Sequence, residues 1–262
     1  MSLTERIQTK TTKEGKLIVS YSSPGVGKTS MWAQAKDSIL IEVKDNSASA
    51  LKDIGAIRED LPVVSTTDWH DTLAVLRELV ETGSSFRHVI IDGISGADEF
   101  CDELTIKDDC EGDADKFLAF GRGEGLSSVK WMELVQLLRD LKAKGLWIYL
   151  LGHSQITTVN NPSGANFSRY SPACGKKKLA QILKFSDAIL YSTFITAITD
   201  VNKQSGTGKA LGGERRVMYT SPSASYESKN RLNLPSVIEL GNSAEESFNA
   251  FVNAVKAGRK KA

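Results

Sequence analysis

The chain holds only three cysteines, Cys101, Cys110 and Cys174, widely spaced and odd in number. No CxxC pair occurs, and His70, His88 and His153 show no ligand spacing with them. A zinc site and a disulfide framework are therefore not expected, which favours a reducing compartment. An excess of one charge is lacking too: 33 Lys+Arg stand against 32 Asp+Glu, a formal net charge of +1. That balance excludes a histone-like polycation or a long acidic tail, but a local basic patch can still bind nucleic acid on a neutral protein. No apolar run approaches the ~18–20 residues that a membrane helix needs. The polar N-terminal stretch MSLTERIQTKTTKEGK has no apolar core of a signal peptide. The expectation is a cytoplasmic protein without a membrane partner.

What is present is an ordinary globular composition, 40% hydrophobic and 25% charged over 262 residues. That length suits one large α/β domain or two small ones and can bury a core without disulfides or a structural metal. Short apolar runs alternate with amphipathic stretches, the pattern of a parallel sheet flanked by helices. Strands are expected at 17–21, 39–43, 88–92, 146–151, 188–194 and 216–219, several continuously apolar as befits burial on both faces. Helices are expected at 28–36, 69–81 and 127–144, the second capped by Asp68. A last helix begins at Ser243, where Ser243 and Glu246 form a capping box, and ends near Gly258. Residues 107–125, with the acidic DDCEGDAD and the Gly-rich FGRGEG, and residues 157–178 read as irregular. The second is a long polar loop with a basic end, of the kind that is usually functional or disordered. No internal repeat or clean linker appears, so residues 15–258 read as one domain between a flexible 1–14 segment and a frayed basic 259–262 tail.

The strongest local signal is YSSPGVGKTS at 21–30, directly after an apolar strand and before a helical stretch. This is the context of a phosphate-binding loop. Gly25 and Gly27 let the backbone turn its N–H groups toward an anion, and the start of the following helix favours the same charge. Ser23, Pro24, Gly25, Val26, Gly27, Lys28, Thr29 and Ser30 would hold ATP, with Lys28 on the β- and γ-phosphates and Thr29 on Mg²⁺. Ser22 stands where the full pattern has its first glycine. A similar stretch, SGTGKA at 205–210, lacks Ser/Thr after its lysine and reads as a hairpin tip. Asp92 ends the apolar strand HVIID, as an aspartate that serves the metal does.

A carboxylate to activate water is less fixed: Glu42 and Asp45 both lie at the carboxyl end of the second strand. Past the fourth strand, GHSQ places His153 and Gln155 where a polar group can sense the γ-phosphate and pass its state to the 157–178 segment. Lys229 and Arg231 sit two apart on an extended stretch, so both point one way. From a subunit edge they could reach a neighbour's γ-phosphate as a trans finger.

In that order these features resemble the RecA-like P-loop ATPase core, and most closely the short single-domain nucleotide-binding proteins of bacteriophages, whose characterised members act in single-strand annealing and recombination. The resemblance spans about residues 15–240 and rests on the P-loop, GHSQ, FSDAILY and SKNRLNLP. It implies an α/β fold with a mostly parallel sheet and an ATP–Mg²⁺ site of Lys28, Thr29 and Asp92. It further implies Gln155 as the polar sensor before a DNA-binding loop, and Lys229 and Arg231 as the inter-subunit pair. The 157–178 loop would face single-stranded DNA, Arg169, Lys176, Lys177 and Lys178 on phosphates and Phe167 or Tyr170 stacking on bases. The implied protein is an ATPase, DNA-stimulated, that works as a homo-oligomeric ring or filament, with a single-strand binding protein as a further partner, in the cytoplasm of the bacterial host. Lys44 occupies a place where such relatives tend to carry an acidic residue, which leaves the base open between Glu42 and Asp45. Three other readings stand beside this one: a nucleotide-gated DNA-binding or scaffold protein with little hydrolysis, a helicase-type motor, and a small-molecule phosphotransferase, whose usual Arg-rich lid is not evident.

Overall fold

The apolar runs that are continuous in sequence lie at the centre of a sheet in the computed structural model, which describes residues 14–82, 85–199 and 209–260. β1 (Leu17–Ser22) and β2 (Ser38–Val43) are buried along their whole length. β4 (His88–Asp92) and the first half of β5 (Trp147–Val159) join them. With β3 (Val63–Thr66), β6 (Phe167–Pro172), β7 (Ala188–Thr199), β8 (Lys209–Tyr219), β9 (Lys229–Asn230) and β10 (Val237–Leu240), the order is β10-β8-β7-β1-β5-β4-β2-β3. From β7 to β3 the pairs are parallel; β8 and β10 add an antiparallel edge. This is the mostly parallel α/β core that the resemblance implies.

Helices pack on both faces, as a sheet buried on both sides requires. On one face are α3 (Trp69–Glu81), α4 (Ile94–Asp109), α6 (Arg122–Ala143) and α7 (Lys176–Phe185), where Trp69 and Trp131 stack at 5.5 Å. On the other are α1 (Lys28–Trp32), α2 (Ala48–Asp53) and α8 (Ala244–Lys260), where Trp32 stacks on Tyr149 at 4.2 Å and meets Phe251 edge-on at 4.9 Å. Each such buried side chain contributes about 1.5–3 kcal/mol. The caps are formed as the sequence reads. Asp68 accepts from the Asp71 N–H at 2.9 Å, while Glu246 N–H donates to Ser243 Oγ at 3.1 Å and Ser243 N–H to Glu246 Oε2 at 3.2 Å.

Three segments differ from expectation. Residues 107–125 are largely helical: α4 runs to Asp109, and α5 (Ala114–Leu118) follows, capped by Asp113, which accepts from Asp115 N–H at 2.8 Å. A left-handed corner at Phe120 and Gly121 then starts α6 at Arg122, before the expected Ser127. The acidic cluster hid the cap. Residues 157–178 are no loop. β5 continues to Val159 and folds back on β6 in an antiparallel hairpin, Val159 facing Phe167 and Gln155 facing Ser171, and Lys176 already opens α7. The turn carries its own signal, since Asn161 Oδ1 accepts from Ser163 N–H at 3.0 Å. At the chain's end α8 runs on through Arg259 to Lys260, the Arg259 guanidinium 5.7 Å from the Trp147 ring, so these two tail residues are helical. Residues 1–13, Lys261 and Ala262, and most of the expected 205–210 tip lie outside the described residues, though β7 and β8 pair up to Thr199 and Lys209 on either side of that tip.

Candidate nucleotide site

Register sets the site. Ser22 pairs with His153, Leu151 with Asp92 and Asp92 with Glu42, so the carboxyl ends of β1, β4 and β2 finish at one level, beside the middle of β5. At that edge the chain turns through Ser23–Gly27, with Gly25 at φ 81° and Gly27 at φ 91°, both in the left-handed region where a Cβ is strained. Ser22, the departure from the glycine pattern, is fully buried and satisfies itself by donating to Ser23 O at 2.8 Å. Val26 is buried, and its carbonyl accepts from Arg216 Nη1 at 3.1 Å. Arg216, on β8, also donates through Nη2 to Gly241 O and to Ser247 Oγ at 3.4 Å. It thus ties the loop to the start of α8. Nothing in the local pattern RRVMY marks Arg216 for this; only the β7–β8 pairing places it there.

Past the loop, Thr29 Oγ1 donates to Asp92 Oδ2 at 2.5 Å, closing the gap between two strands that β5 separates. Burial pushes the Asp92 carboxyl above its ordinary value, against the Thr29 hydrogen bond and the Lys28 charge. Burial likewise pushes the Lys28 ammonium down, opposed by Asp92 and Asp45. Lys28 makes no ion pair among the described residues. It is a half-buried cation, with a hydroxyl and a carboxylate beside it. That donor set fits Mg²⁺: hard oxygens, few from the protein, the remainder left to phosphate and water. No cluster of three or more His, Cys, Asp or Glu able to hold a metal occurs among the described residues. Beside Asp92 a cleft of about 310 Å³ is lined by Asp45, Lys44, Gly93 and His153.

The two candidate bases part here. Glu42 is buried and both its oxygens are occupied, Oε1 by Ala48 N–H at 2.6 Å and Oε2 by Ser65 Oγ at 2.9 Å. It pins the start of α2, which corrects its reading as a base. Asp45 is exposed, lines the cleft and feels Lys28 and Asp92. Lys44, with positive φ, is drawn off to Glu99 at 2.7 Å and Glu103 at 2.6 Å.

A family model described as an AAA domain matches residues 14–232. The chain belongs to the AAA domain family. It is a P-loop ATPase by that membership, and nucleotide binding follows from it. The chain is also similar in fold to a KaiC-like protein, PH0186, of the hyperthermophilic archaeon Pyrococcus horikoshii OT3, at 10% identity and a TM-score of 0.43 over 88% of each chain. No curated protein matches the sequence.

The remaining site residues of this AAA domain fall in two groups. Beside the P-loop stand His153 and Ser154, the latter with its Oγ 3.4 Å from Ser23 Oγ. Gln155 instead donates to Pro172 O at 3.0 Å and Cys174 O at 3.3 Å, holding the base of the β5–β6 hairpin. Phe167 is half-buried and Tyr170 exposed on β6, Tyr170 stacking on Tyr191 at 5.2 Å. Arg169 is paired with Glu227. Lys176 and Lys177 are exposed on the first turn of α7. Lys178 is not: it is fully buried, ion-paired with Asp98 and with Asp102 at 2.6 Å, and bonded to Ser127 Oγ at 2.9 Å. It cannot meet a phosphate, because its charge is already spent on two carboxylates.

Lys229 and Arg231 lie at the other end of the sheet. β9 pairs with Ala188 and Ile189, the start of β7, whereas the P-loop follows the far end of β1. Lys229 Nζ donates to Leu183 O at 2.8 Å and Lys184 O at 3.3 Å, capping α7. Of the expected pair only Arg231 is exposed. Among the described residues, no helix is long and apolar enough to cross a membrane.

Proposed function

We propose that this AAA domain binds ATP with Mg²⁺, hydrolyses it, and couples the nucleotide state to single-stranded DNA along the β5–β6 hairpin. It would act as an oligomer in phage DNA recombination and annealing. The observation that carries the reading is the Lys28–Thr29–Asp92 arrangement, an unpaired, half-buried lysine beside a hydroxyl and a carboxylate at one sheet edge. Bound Mg²⁺ would supply charge neutralisation at the phosphates, held by Thr29 and Asp92. Lys28 would hold the β- and γ-phosphates, Asp45 would orient and deprotonate water, and the loop N–H groups would hold the leaving oxygens.

Support for coupling comes from β5 itself. The strand that flanks the P-loop at Ser154 continues without a break as the hairpin, so a shift at Ser23 has a rigid path into the arm. Exposed Lys176 and Lys177 and exposed Tyr170 give the arm phosphate contacts and a stacking ring. Exposed Leu118, Phe120, Val129 and Met132 at the α5–α6 corner support association with a second copy. Arg231 is the residue left to act across such an interface. The occupied Glu42 favours a second reading, a nucleotide-gated DNA-binding protein with little turnover. Hydrolysis measured with and without single-stranded DNA separates the two. A rate raised by DNA and lost in Lys28→Ala supports the first, and ATP binding without turnover supports the second.

A further inference from the structure

A cavity of about 910 Å³ lies away from the P-loop. It opens at the amino ends of β4 and β5, between those strands and α8. We propose that this cleft is a second ligand site, built to take a nucleobase that carries a phosphate.

Its place makes it independent of the ATP site. His88 and Trp147 are register partners, as are Asp92 and Leu151 at the other end of the same two strands. With a rise of about 3.3 Å per residue, the two ends stand about 13 Å apart. Between them Val89, Ile90, Ile91, Ile148 and Leu150 are buried to 1% exposure or less. A nucleotide seated on Lys28 therefore leaves the cleft open.

The walls supply two kinds of chemistry. One is a set of flat rings. Tyr149, at the floor, stacks on the fully buried Trp32 behind it at 4.2 Å and lies 5.7 Å from the His88 ring, at 7° to it. Trp147 flanks His88 at 6.4 Å and Phe248 lines the opposite wall. The His88 Nδ1 and the Tyr149 hydroxyl share a hydrogen bond of 3.0 Å. Burial pushes the imidazole below its ordinary value, so at neutral pH it presents an uncharged edge to a base. The other is positive charge at the rim. Lys36, Arg58, Lys256 and Arg259 line the cleft against Asp37 and Glu245. Asp37 faces Arg87 at 3.8 Å. Arg58 gives Nη1 to Asp60 at 3.2 Å and Nη2 to Ala35 O and Ser38 Oγ at 3.4 Å, while its buried Nε has no hydrogen-bond partner among the described residues. Rings beneath and cations above select a planar aromatic anion, and the volume lies within the range of small-molecule pockets. The phosphorylated nucleobase could be free or the end of a nucleic acid strand.

The test uses the full chain and two probes, AMP and a 5′-phosphorylated oligothymidylate. Trp32, Trp69 and Trp131 are buried to 2% exposure or less while Trp147 is half-exposed, so tryptophan fluorescence reports the cleft. A saturable change with AMP, kept in Lys28→Ala and lost in Trp147→Phe, is expected. Affinity should fall at least tenfold in Lys256→Glu/Arg259→Glu, whose side chains are exposed and whose fold circular dichroism checks. Response to AMP assigns a free nucleotide, and response to the oligonucleotide alone assigns a strand end. No saturable change with either probe, or binding that is lost in Lys28→Ala and untouched by the charge reversal, would overturn the site.

Discussion

Lys28 and Lys178 each lie in the first turn of a helix that follows a glycine, and burial weighs on both, yet their surroundings give them opposite tasks. Lys28 stands in the P-loop with no ion-pair partner among the described residues, and burial holds its ammonium below the ordinary lysine value despite Asp92 and Asp45. At Lys178 burial acts in the same direction, but hydrogen bonds to Asp102 and Asp98 outweigh it and the pKa ends above the ordinary value. A half-buried cation that forms no ion pair is a seat for an external anion; a buried one paired with two carboxylates is a strut. The strut closes α4 onto α7, with Trp131 completing the enclosure at 5.7 Å from the ammonium.

The comparison can be broken at either lysine. Lys28→Ala should bring ATP turnover to background while the unfolding temperature stays level or rises, since it removes a desolvated charge; turnover is read by phosphate release and stability by calorimetry. Lys178→Ala should do the reverse, costing about 3 kcal/mol or more because two carboxylates lose their partner. Chemical denaturation measures that loss, and the molecules that remain folded should keep normal turnover per folded molecule.

Asp92→Asn sharpens the same contrast. The Asp92 pKa is raised on folding, so its contribution to stability is full below the unfolded value and lost as pH rises through the folded one. The apo variant should therefore be more stable than the parent at pH 7 and equal to it in acid, yet bind nucleotide without a response to Mg²⁺. Thermal scans at the two pH values, with and without MgATP, check both halves. Of the two carboxylates at the carboxyl end of β2 and just past it, Asp45→Asn should lower kcat at unchanged fold, whereas Glu42→Gln should cost about 1 kcal/mol of stability by weakening the hydrogen bonds to Ala48 and Ser65. The smallest effect is expected at the exposed pair. Lys176→Ala/Lys177→Ala should weaken single-stranded DNA binding and flatten its salt slope by about 1.4. An unchanged slope would take α7 out of the DNA path.

The nucleotide site was legible because its chemistry fixes residue types at fixed spacing directly after a strand, as at 21–30, and because an apolar run ending in Asp92 needs no distant partner to be read. The strut was not. Asp102 lies 76 residues before Lys178, and only the packing of α4 against α7 brings them together, so a KKK triplet looked like a surface patch. The hairpin failed for a related reason: a half-exposed antiparallel arm buries too little for its alternation to stand out, and TTV and FSRY passed as loop. Gln155 and Lys229 were read by position in a motif, yet each is committed to backbone carbonyls of a neighbouring element. Arg216 was not read at all, since its partner Val26 lies across β7 and β1.

The central claim is that the unpaired Lys28 is the anion seat of this AAA domain. Calorimetric titration of MgATP into the parent chain, Lys28→Ala and a folded Lys176→Ala/Lys177→Ala control tests it most directly. The account predicts a Mg²⁺-dependent binding event in the parent and the control that is missing in Lys28→Ala, which keeps only what the second cleft takes up. Equal MgATP affinity in all three would contradict it.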